Sequence, residues 1–166
     1  MEIKESSILI TIKNRPYLIA EAGVAHFGSF EKALELFKMS IEANCDAFKI
    51  QAFDADTLYA NDAKGWRERL RDRVLSRDEI KKLSDLCIKN KIDFIITPHD
   101  ASILPFLDQI EIKAIKIGSG EAGNYDFIEH CFEYTDHIIY STGLSTIEDI
   151  NKVNQIARKK KKKLSI

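Results

Sequence analysis

The chain has 166 residues with a formal net charge of −1, and 45% of its residues are hydrophobic. This length suits one domain with a buried core, and the balanced charge gives no general attraction to nucleic acid or to an acidic membrane surface. No apolar run is long enough to span a bilayer, and charges flanking the short apolar N-terminal stretch argue against a secretory signal. Three scattered cysteines without a CxxC pair, Cys45, Cys87 and Cys131, predict buried thiols in a reducing cytoplasm.

The first half of the sequence predicts a hairpin, two strand–helix units and a long polar segment. Two extended runs joined by a turn at residues 13–16 indicate a hairpin that leads into a first strand at residues 17–22. The apolar stripe of an amphipathic helix follows at Phe30, Ala33, Leu34, Phe37 and Ile41. AFKIQAF at residues 47–53 predicts the second strand. Residues 54–76 are too many for a tight connection, so they form either a functional lid or a partly helical, solvated insertion.

The second half continues the alternation of strands and helices. Ser76 and Glu79 have the spacing of a capping box at the start of a helix. Three more strands are predicted at residues 93–97, 114–118 and 137–141, with helices between and after them, and residues 164–166 can begin a sixth. Strict alternation predicts an α/β fold with a parallel sheet and helices outside it. Both a doubly wound open sheet and a (β/α)8 TIM barrel fit this pattern.

Polar residues end every predicted strand, which favours the barrel, because barrels gather their reactive groups at the C-terminal ends of many strands. Side chains alternate between the two faces of a strand. If the fully apolar faces of the strands meet the helices, the polar side chains on the opposite faces converge at the mouth of the barrel. These are Glu21, Lys49, Gln51, Thr97, Lys116 and Ser141. Burying an unpaired ammonium is costly, so both lysines are expected to face a carboxylate or a ligand anion.

Two lysines, several hydroxyls and glycine-rich turns predict a site for a compact anion with more than one charged group. Lysine binds phosphate or carboxylate as a point charge, and the turns GSGE and STG can direct backbone N–H groups at oxygens. Glu21 and Glu121 could then transfer protons near the same ligand. A small phosphorylated carboxylic acid fits this chemistry, and no GxGxxG or P-loop supports a nucleotide. A Schiff-base aldolase with Lys116 as nucleophile is the alternative.

Five blocks of the sequence, YLIAEAGVAHFGS, AFKIQAF, FIITPHD, AIKIGSGEAGN and IIYSTGLST, resemble successive motifs of the sialic acid synthase family. The resemblance covers nearly the whole chain, and other phosphoenolpyruvate-condensing barrels are the next most similar group. It implies a cytoplasmic transferase that joins phosphoenolpyruvate to an N-acetylated amino sugar, giving a nonulosonic acid and phosphate. It also implies a homodimer for the complete enzyme and neither a nucleic-acid nor a membrane partner.

The resemblance assigns roles to the residues at the mouth. Lys49, Thr97 and Lys116 would hold the carboxylate of phosphoenolpyruvate and neighbouring charge. The phosphate would be held, together with adjoining backbone, by Ser119, Ser141 and Thr142. Gln51 and Glu121 would line the site near phosphoenolpyruvate and the incoming sugar, and Glu21 would act in proton transfer at the sugar.

The family also uses a divalent metal, Mn²⁺ or Mg²⁺, which polarises the aldehyde oxygen of the sugar. Its two metal-binding histidines belong to later strands beyond residue 166, so the resemblance implies no metal ligand in this chain. Two departures bear on the mouth: Ala25 and Phe27 replace polar residues of the family's GVNHNG block, and Ala52 stands at a hydroxyl position.

The resemblance further implies that residues 1–166 are the N-terminal portion of the barrel, with five strands and the start of a sixth. The second half of the barrel and a small antifreeze-like domain would then be absent. A fragment of a longer reading frame, a frameshift at the lysine run of residues 159–163 and a non-catalytic remnant that pairs with another chain all fit. We expect this chain alone to bind phosphoenolpyruvate weakly and not to turn over, and synthesis with added manganese would contradict that.

Overall fold

The computed structural model describes residues 15–58 and 64–166, and the first run of the predicted N-terminal hairpin lies outside them. The strands are β1 Ile19–Gly23, β2 Ala47–Ala52, β3 Asp93–Pro98, β4 Ala114–Ile117, β5 His137–Tyr140 and β6 Lys163–Ser165. The α-helices are α1 Phe30–Glu42, α2 Ala55–Leu58, α3 Lys64–Arg71, α4 Arg77–Asn90, α5 Tyr125–Cys131 and α6 Ile147–Lys160. Two 3₁₀-helices span Ala101–Gln109 and Ser119–Glu121.

The six strands form one parallel sheet in which the spatial order is the chain order, β1 to β6. A doubly wound sheet reverses its strand order at a switch point, and the described strands contain no such reversal. Strictly sequential parallel strands with helical connections are the arrangement of successive βα units in a TIM barrel. The predicted α/β class and the parallel sheet are therefore confirmed.

Local sequence signals account for the helix boundaries. The Ser29 side chain accepts from the Lys32 backbone N–H at the start of α1. Ser76 and Glu79 form the predicted reciprocal capping box of α4, and Thr146 opens α6 in the same way. The helix predicted around residues 103–107 is instead the 3₁₀-helix Ala101–Gln109, which contains Pro105. Proline lacks the N–H that an interior α-helical hydrogen bond requires, which disfavours a regular α-helix there.

The two faces of the sheet differ as strand alternation predicts. The outer face packs against the helices through large buried side chains that include Phe48, Ile50, Ile96, Ile115, Ile117, Ile138 and Tyr140. The inner face carries a small apolar layer, Ala47, Ile95 and Ala114, with Tyr17, Ile19 and Ile139 against it. Each residue of that layer lies two positions before a polar one on the same strand, such as Lys49, Thr97 or Lys116. An apolar floor therefore lies beneath the polar C-terminal end of the inner face.

The described part of the segment at residues 54–76 contains two short helices, α2 and α3, joined by an ion pair between Asp56 and Arg71. The guanidinium of Arg73 lies 4.9 Å from the ring centroid of Phe27, so the end of this segment contacts the β1–α1 loop. Within residues 15–58 and 64–166, no helix has both the length and the apolar composition needed to cross a membrane.

The three cysteines are free thiols. Cys87 and Cys131 are buried as predicted, and Cys45 is only partly buried. Burial raises the pKa of Cys87 and of Cys131 to about 12, so both remain protonated and behave as small apolar side chains.

Candidate functional site

Two lysines lie on the inner face where neighbouring strands end. Lys49 in β2 is only 7% exposed, and its Nζ forms an ion pair with Oε2 of Glu21, its register partner in β1. Burial, with a smaller effect from the charge of Lys116, lowers the pKa of Lys49 to about 8. Burial also lowers the pKa of Lys116. Desolvation disfavours both charges, and repulsion from Lys116 adds to this effect at Lys49, so an anion placed between the two lysines is stabilised more than it would be by exposed lysines.

Thr97 contributes an unpaired hydroxyl to this face. It is the register partner of Gln51 and is 2% exposed. Among the described residues, no group hydrogen-bonds to its buried Oγ1. A buried hydroxyl without a partner costs about 1–3 kcal/mol, so such groups usually meet a ligand or a water molecule. This unpaired oxygen indicates a polar ligand beside the lysines.

The turns after β4 and β5 lie side by side. A Cβ built on Gly143 would lie 3.6 Å from Cβ and 3.8 Å from Oγ of Ser119, which brings Ser119 next to the turn that holds Ser141 and Thr142. The Ser141 backbone N–H donates to the Ile117 carbonyl at 3.0 Å, which extends the β4–β5 pairing into this turn. The three hydroxyl residues predicted to hold a phosphate therefore line one edge of the mouth.

Glu121 lies at the end of the 3₁₀-helix that follows β4, and its Oε2 accepts from Asn124 Nδ2 at 2.8 Å. A Cβ built on Gly118 would lie 3.9 Å from Lys116 Nζ, so the lysine reaches toward the start of the same turn. All the predicted site residues thus lie at the C-terminal ends of β1 to β5 or in the turns that follow. Their roles remain predictions.

His99 also belongs to this site, although the sequence reasoning did not select it. It directly follows β3, and its Nε2 lies 3.2 Å from Oε1 of Gln51. Burial lowers the pKa of His99, and the charge of Glu121 acts in the opposite direction. Strand alternation is the feature of the sequence that could have identified it, because His99 lies two positions after Thr97 and therefore continues the same face of the strand.

The described residues do not fit a metal site. Within residues 15–58 and 64–166, no three His, Cys, Asp or Glu side chains lie close enough together to hold an ion. His130 lies on α5, and His137 begins β5 at the opposite end of the sheet, where its Nε2 lies 2.8 Å from Ser165 Oγ. His26 is buried, and its Nδ1 accepts from the Gly28 N–H at 3.1 Å. We therefore assign no step to a metal in this chain.

Comparisons with known proteins agree with the fold. The model of the NeuB family matches residues 36–166. The chain is 33% identical over 147 residues to N,N'-diacetyllegionaminic acid synthase of Legionella pneumophila, covering 81% of this chain. It is 27% identical over 155 residues to N-acetylneuraminate-9-phosphate synthase of Drosophila melanogaster, covering 86% of this chain. The matches cover only 41% of each relative, so the chain spans about two fifths of their length.

Among solved structures, the N-acetylneuraminic acid synthetase of Leptospira borgpetersenii in complex with citrate superimposes with a TM-score of 0.82 and 26% sequence identity. That match covers 89% of this chain and 52% of the synthetase chain. The family match over residues 36–166 includes β2 to β6 and most of the candidate site. The chain belongs to the NeuB family, the sialic acid synthase family that its sequence motifs predict.

Proposed function

We propose that the chain supplies the phosphoenolpyruvate-binding part of a NeuB-type synthase, which condenses phosphoenolpyruvate with an N-acetylated amino sugar and releases phosphate. The observation that carries the proposal is the pair of partly desolvated lysines, Lys49 and Lys116, beside the unpaired hydroxyl of Thr97. In this proposal the six strands are part of a (β/α)8 barrel, and residues other than those described hold the metal. Dimerisation and a cytoplasmic location rest on the resemblance alone.

The proposed reaction needs positive charge where phosphoenolpyruvate carries its carboxylate and phosphate. Carbon 3 attacks the aldehyde carbon of the open-chain sugar, water adds at carbon 2, and the bond from carbon 2 to the phosphate oxygen breaks. Lys49 and Lys116 would hold the carboxylate and neighbouring charge, which fixes the enol for attack. Ser119, Ser141 and Thr142 would hold the departing phosphate, and Glu21 would move a proton at the sugar.

Ligand binding to the chain itself tests this proposal. Calorimetric titration with phosphoenolpyruvate is compared with titrations using pyruvate, which lacks the phosphate, and inorganic phosphate, which lacks the carboxylate. We expect phosphoenolpyruvate to bind most tightly of the three, since only it engages both groups of side chains. Binding of phosphoenolpyruvate no tighter than that of inorganic phosphate would contradict the two-part site.

The lowered pKa of Lys116 favours one second candidate, a Schiff-base aldolase, because a nucleophilic lysine must lose its proton. Incubation with pyruvate and borohydride, followed by mass spectrometry, distinguishes the two reactions. A covalent adduct on Lys116 would establish the aldolase chemistry. Recovery of unmodified Lys116 would indicate that this lysine acts as a cation that binds the ligand anion and not as a nucleophile.

Affinity for phosphoenolpyruvate is expected to fall as the pH rises through about 8, the pKa of Lys49. Above that value the free site loses a positive charge, so the dissociation constant should rise by up to about tenfold per pH unit. The titration starts at pH 7, above the second phosphate pKa of about 6. Lys49→Arg is the control, because arginine stays charged throughout this range and should remove the step near pH 8. A step that persists in Lys49→Arg would assign the titration to another group.

A further inference from the structure

We infer that His99 is a positioning residue that fixes the side-chain amide of Gln51 with its oxygen toward β3 and its NH2 group toward Glu21. The inference rests on the proposed function for its role in the reaction, whereas the interaction itself is a property of the folded chain. Nothing in the sequence motifs had given His99 a role, although it lies within the candidate site.

His99 is held by three consecutive residues at the end of β2. Its backbone N–H donates to the Ala52 carbonyl at 3.1 Å, and its Nε2 lies 3.2 Å from Gln51 Oε1. Its ring packs edge-on against Phe53, with centroids 6.1 Å apart and planes at 71°. A side chain fixed at its backbone, ring and Nε2 has little freedom to move, so it can hold its partner in one orientation.

The far end of the Gln51 amide faces the end of β1. A Cβ built on Gly23 would lie 3.5 Å from Gln51 Nε2 and 3.2 Å from Glu21 Oε1, so both groups approach the same point. Gly23 has a φ of +54° and no Cβ, which leaves this space open. Turning the amide over would bring its oxygen toward the carboxylate of Glu21, and two groups that only accept hydrogen bonds repel one another. The Glu21 end of Gln51 therefore favours the orientation that places the amide oxygen toward His99.

The hydrogen bond also decides where the proton of His99 lies. An amide oxygen only accepts, so Nε2 must carry the hydrogen that it donates. Burial lowers the pKa of His99, and the charges of Lys116 and Lys49 act in the same direction, whereas the carboxylates of Glu121 and Asp100 oppose them. His99 is therefore a neutral imidazole near pH 7, with its hydrogen on Nε2 and a lone pair on Nδ1.

A bound anion should shift the pKa of this imidazole. Negative charge placed beside Lys49 and Lys116 offsets the repulsion that these lysines exert on a protonated His99. Phosphoenolpyruvate is therefore expected to raise the pKa of His99 without moving the hydrogen from Nε2. This response connects the positioning residue to the ligand proposed for the site.

The test is long-range ¹H–¹⁵N correlation NMR of the labelled 166-residue chain, in which only four histidines need assignment. We expect His99 to show one neutral tautomer, protonated at Nε2, and Gln51 to show two resolved side-chain NH2 signals. His99→Phe keeps a ring against Phe53 but removes the donor, so it should shift the Gln51 signals. His99→Gln places an amide N–H near the same position and should restore them.

Binding gives a second readout. We expect His99→Phe to weaken phosphoenolpyruvate binding by about tenfold, as the loss of one ordered hydrogen bond would, and His99→Gln to retain most of the affinity. Averaged tautomers, a hydrogen on Nδ1, or identical Gln51 signals in the wild type and His99→Phe would overturn the inference. A fixed Nε2–H tautomer in a wild-type chain that does not respond to phosphoenolpyruvate would support the positioning role and count against the proposed function.

Discussion

Lys49→Met is expected to abolish measurable binding of phosphoenolpyruvate while leaving the chain folded. Lys49 is nearly buried on the inner face and lies among the groups proposed to hold the ligand. A hydrogen bond to a charged group contributes about 1.5–3 kcal/mol, which corresponds to a loss of affinity of about 10- to 150-fold. Because we expect the wild-type chain to bind weakly, a loss of this size removes the signal from a calorimetric titration.

The fold should tolerate this substitution because the desolvation of Lys49 outweighs its ion pair with the partly exposed Glu21, so the charge of Lys49 on balance works against folding. The folded-state pKa of about 8 lies below the usual lysine value of 10.5, so protonation favours the unfolded chain. This cost is fully present below pH 8 and is relieved as the pH rises from about 8 toward the unfolded value. Methionine has a similar length and no charge, so we expect a melting temperature at pH 7 no lower than that of the wild type.

Lys113→Met is the matched control for the loss of one positive charge. Lys113 directly precedes β4 at the opposite end of the sheet, and its Nζ lies 3.7 Å from Oδ2 of Asp93. Phosphoenolpyruvate binding by Lys113→Met should match that of the wild type at equal ionic strength. Equal binding by Lys49→Met and the wild type would remove Lys49 from the site, and equal losses in both variants would point to a general charge effect.

Much of this architecture could be predicted from the sequence, since its signals are local or periodic. The spacing of Ser76 and Glu79 is enough to predict the capping box of α4. Lys49 and Lys116 each stand between apolar neighbours, so strand alternation assigns them to the face opposite the helices. The apolar layer of Ala47, Ile95 and Ala114 beneath them confirms that assignment.

The features that were missed depend on contacts between distant segments. The role of His99 emerges only when β2 and β3 are in register, because its three contacts all belong to residues 51–53. The ion pair of Glu21 with Lys49 likewise requires the pairing of β1 with β2. The contact of Phe27 with Arg73 joins a loop at the mouth to the end of the polar segment. Periodicity within one element carries no information about such contacts.

Gly28→Ala is expected to lower the free energy of unfolding by about 3 kcal/mol or more. The backbone φ of Gly28 is +77°, a conformation that costs an L-residue about 1–2 kcal/mol. A Cβ at this position would also lie 3.0 Å from the carbonyl carbon of Asp72 and closer still to its oxygen. Because backbone atoms cannot swing aside, the β1–α1 loop and the chain after α3 must separate.

Gly123→Ala separates the two causes of this loss. Gly123 has a φ of +84°, but a Cβ built there meets no described atom within 4 Å. It should therefore show only the conformational cost of about 1–2 kcal/mol. Urea unfolding of both variants, with m-values equal to that of the wild type, measures the difference.

That difference also decides between the two interpretations of residues 54–76. A larger loss of unfolding free energy in Gly28→Ala means that the end of this segment packs rigidly against the β1–α1 loop and forms a fixed wall of the mouth. A mobile lid would move away from one added methyl group at little cost in free energy. Equal losses in the two variants would show that the contact at Asp72 contributes nothing to stability, as expected of a lid. Because Phe27 and His26 belong to the same loop, a fixed wall would hold the entrance of the site in one shape before any ligand binds.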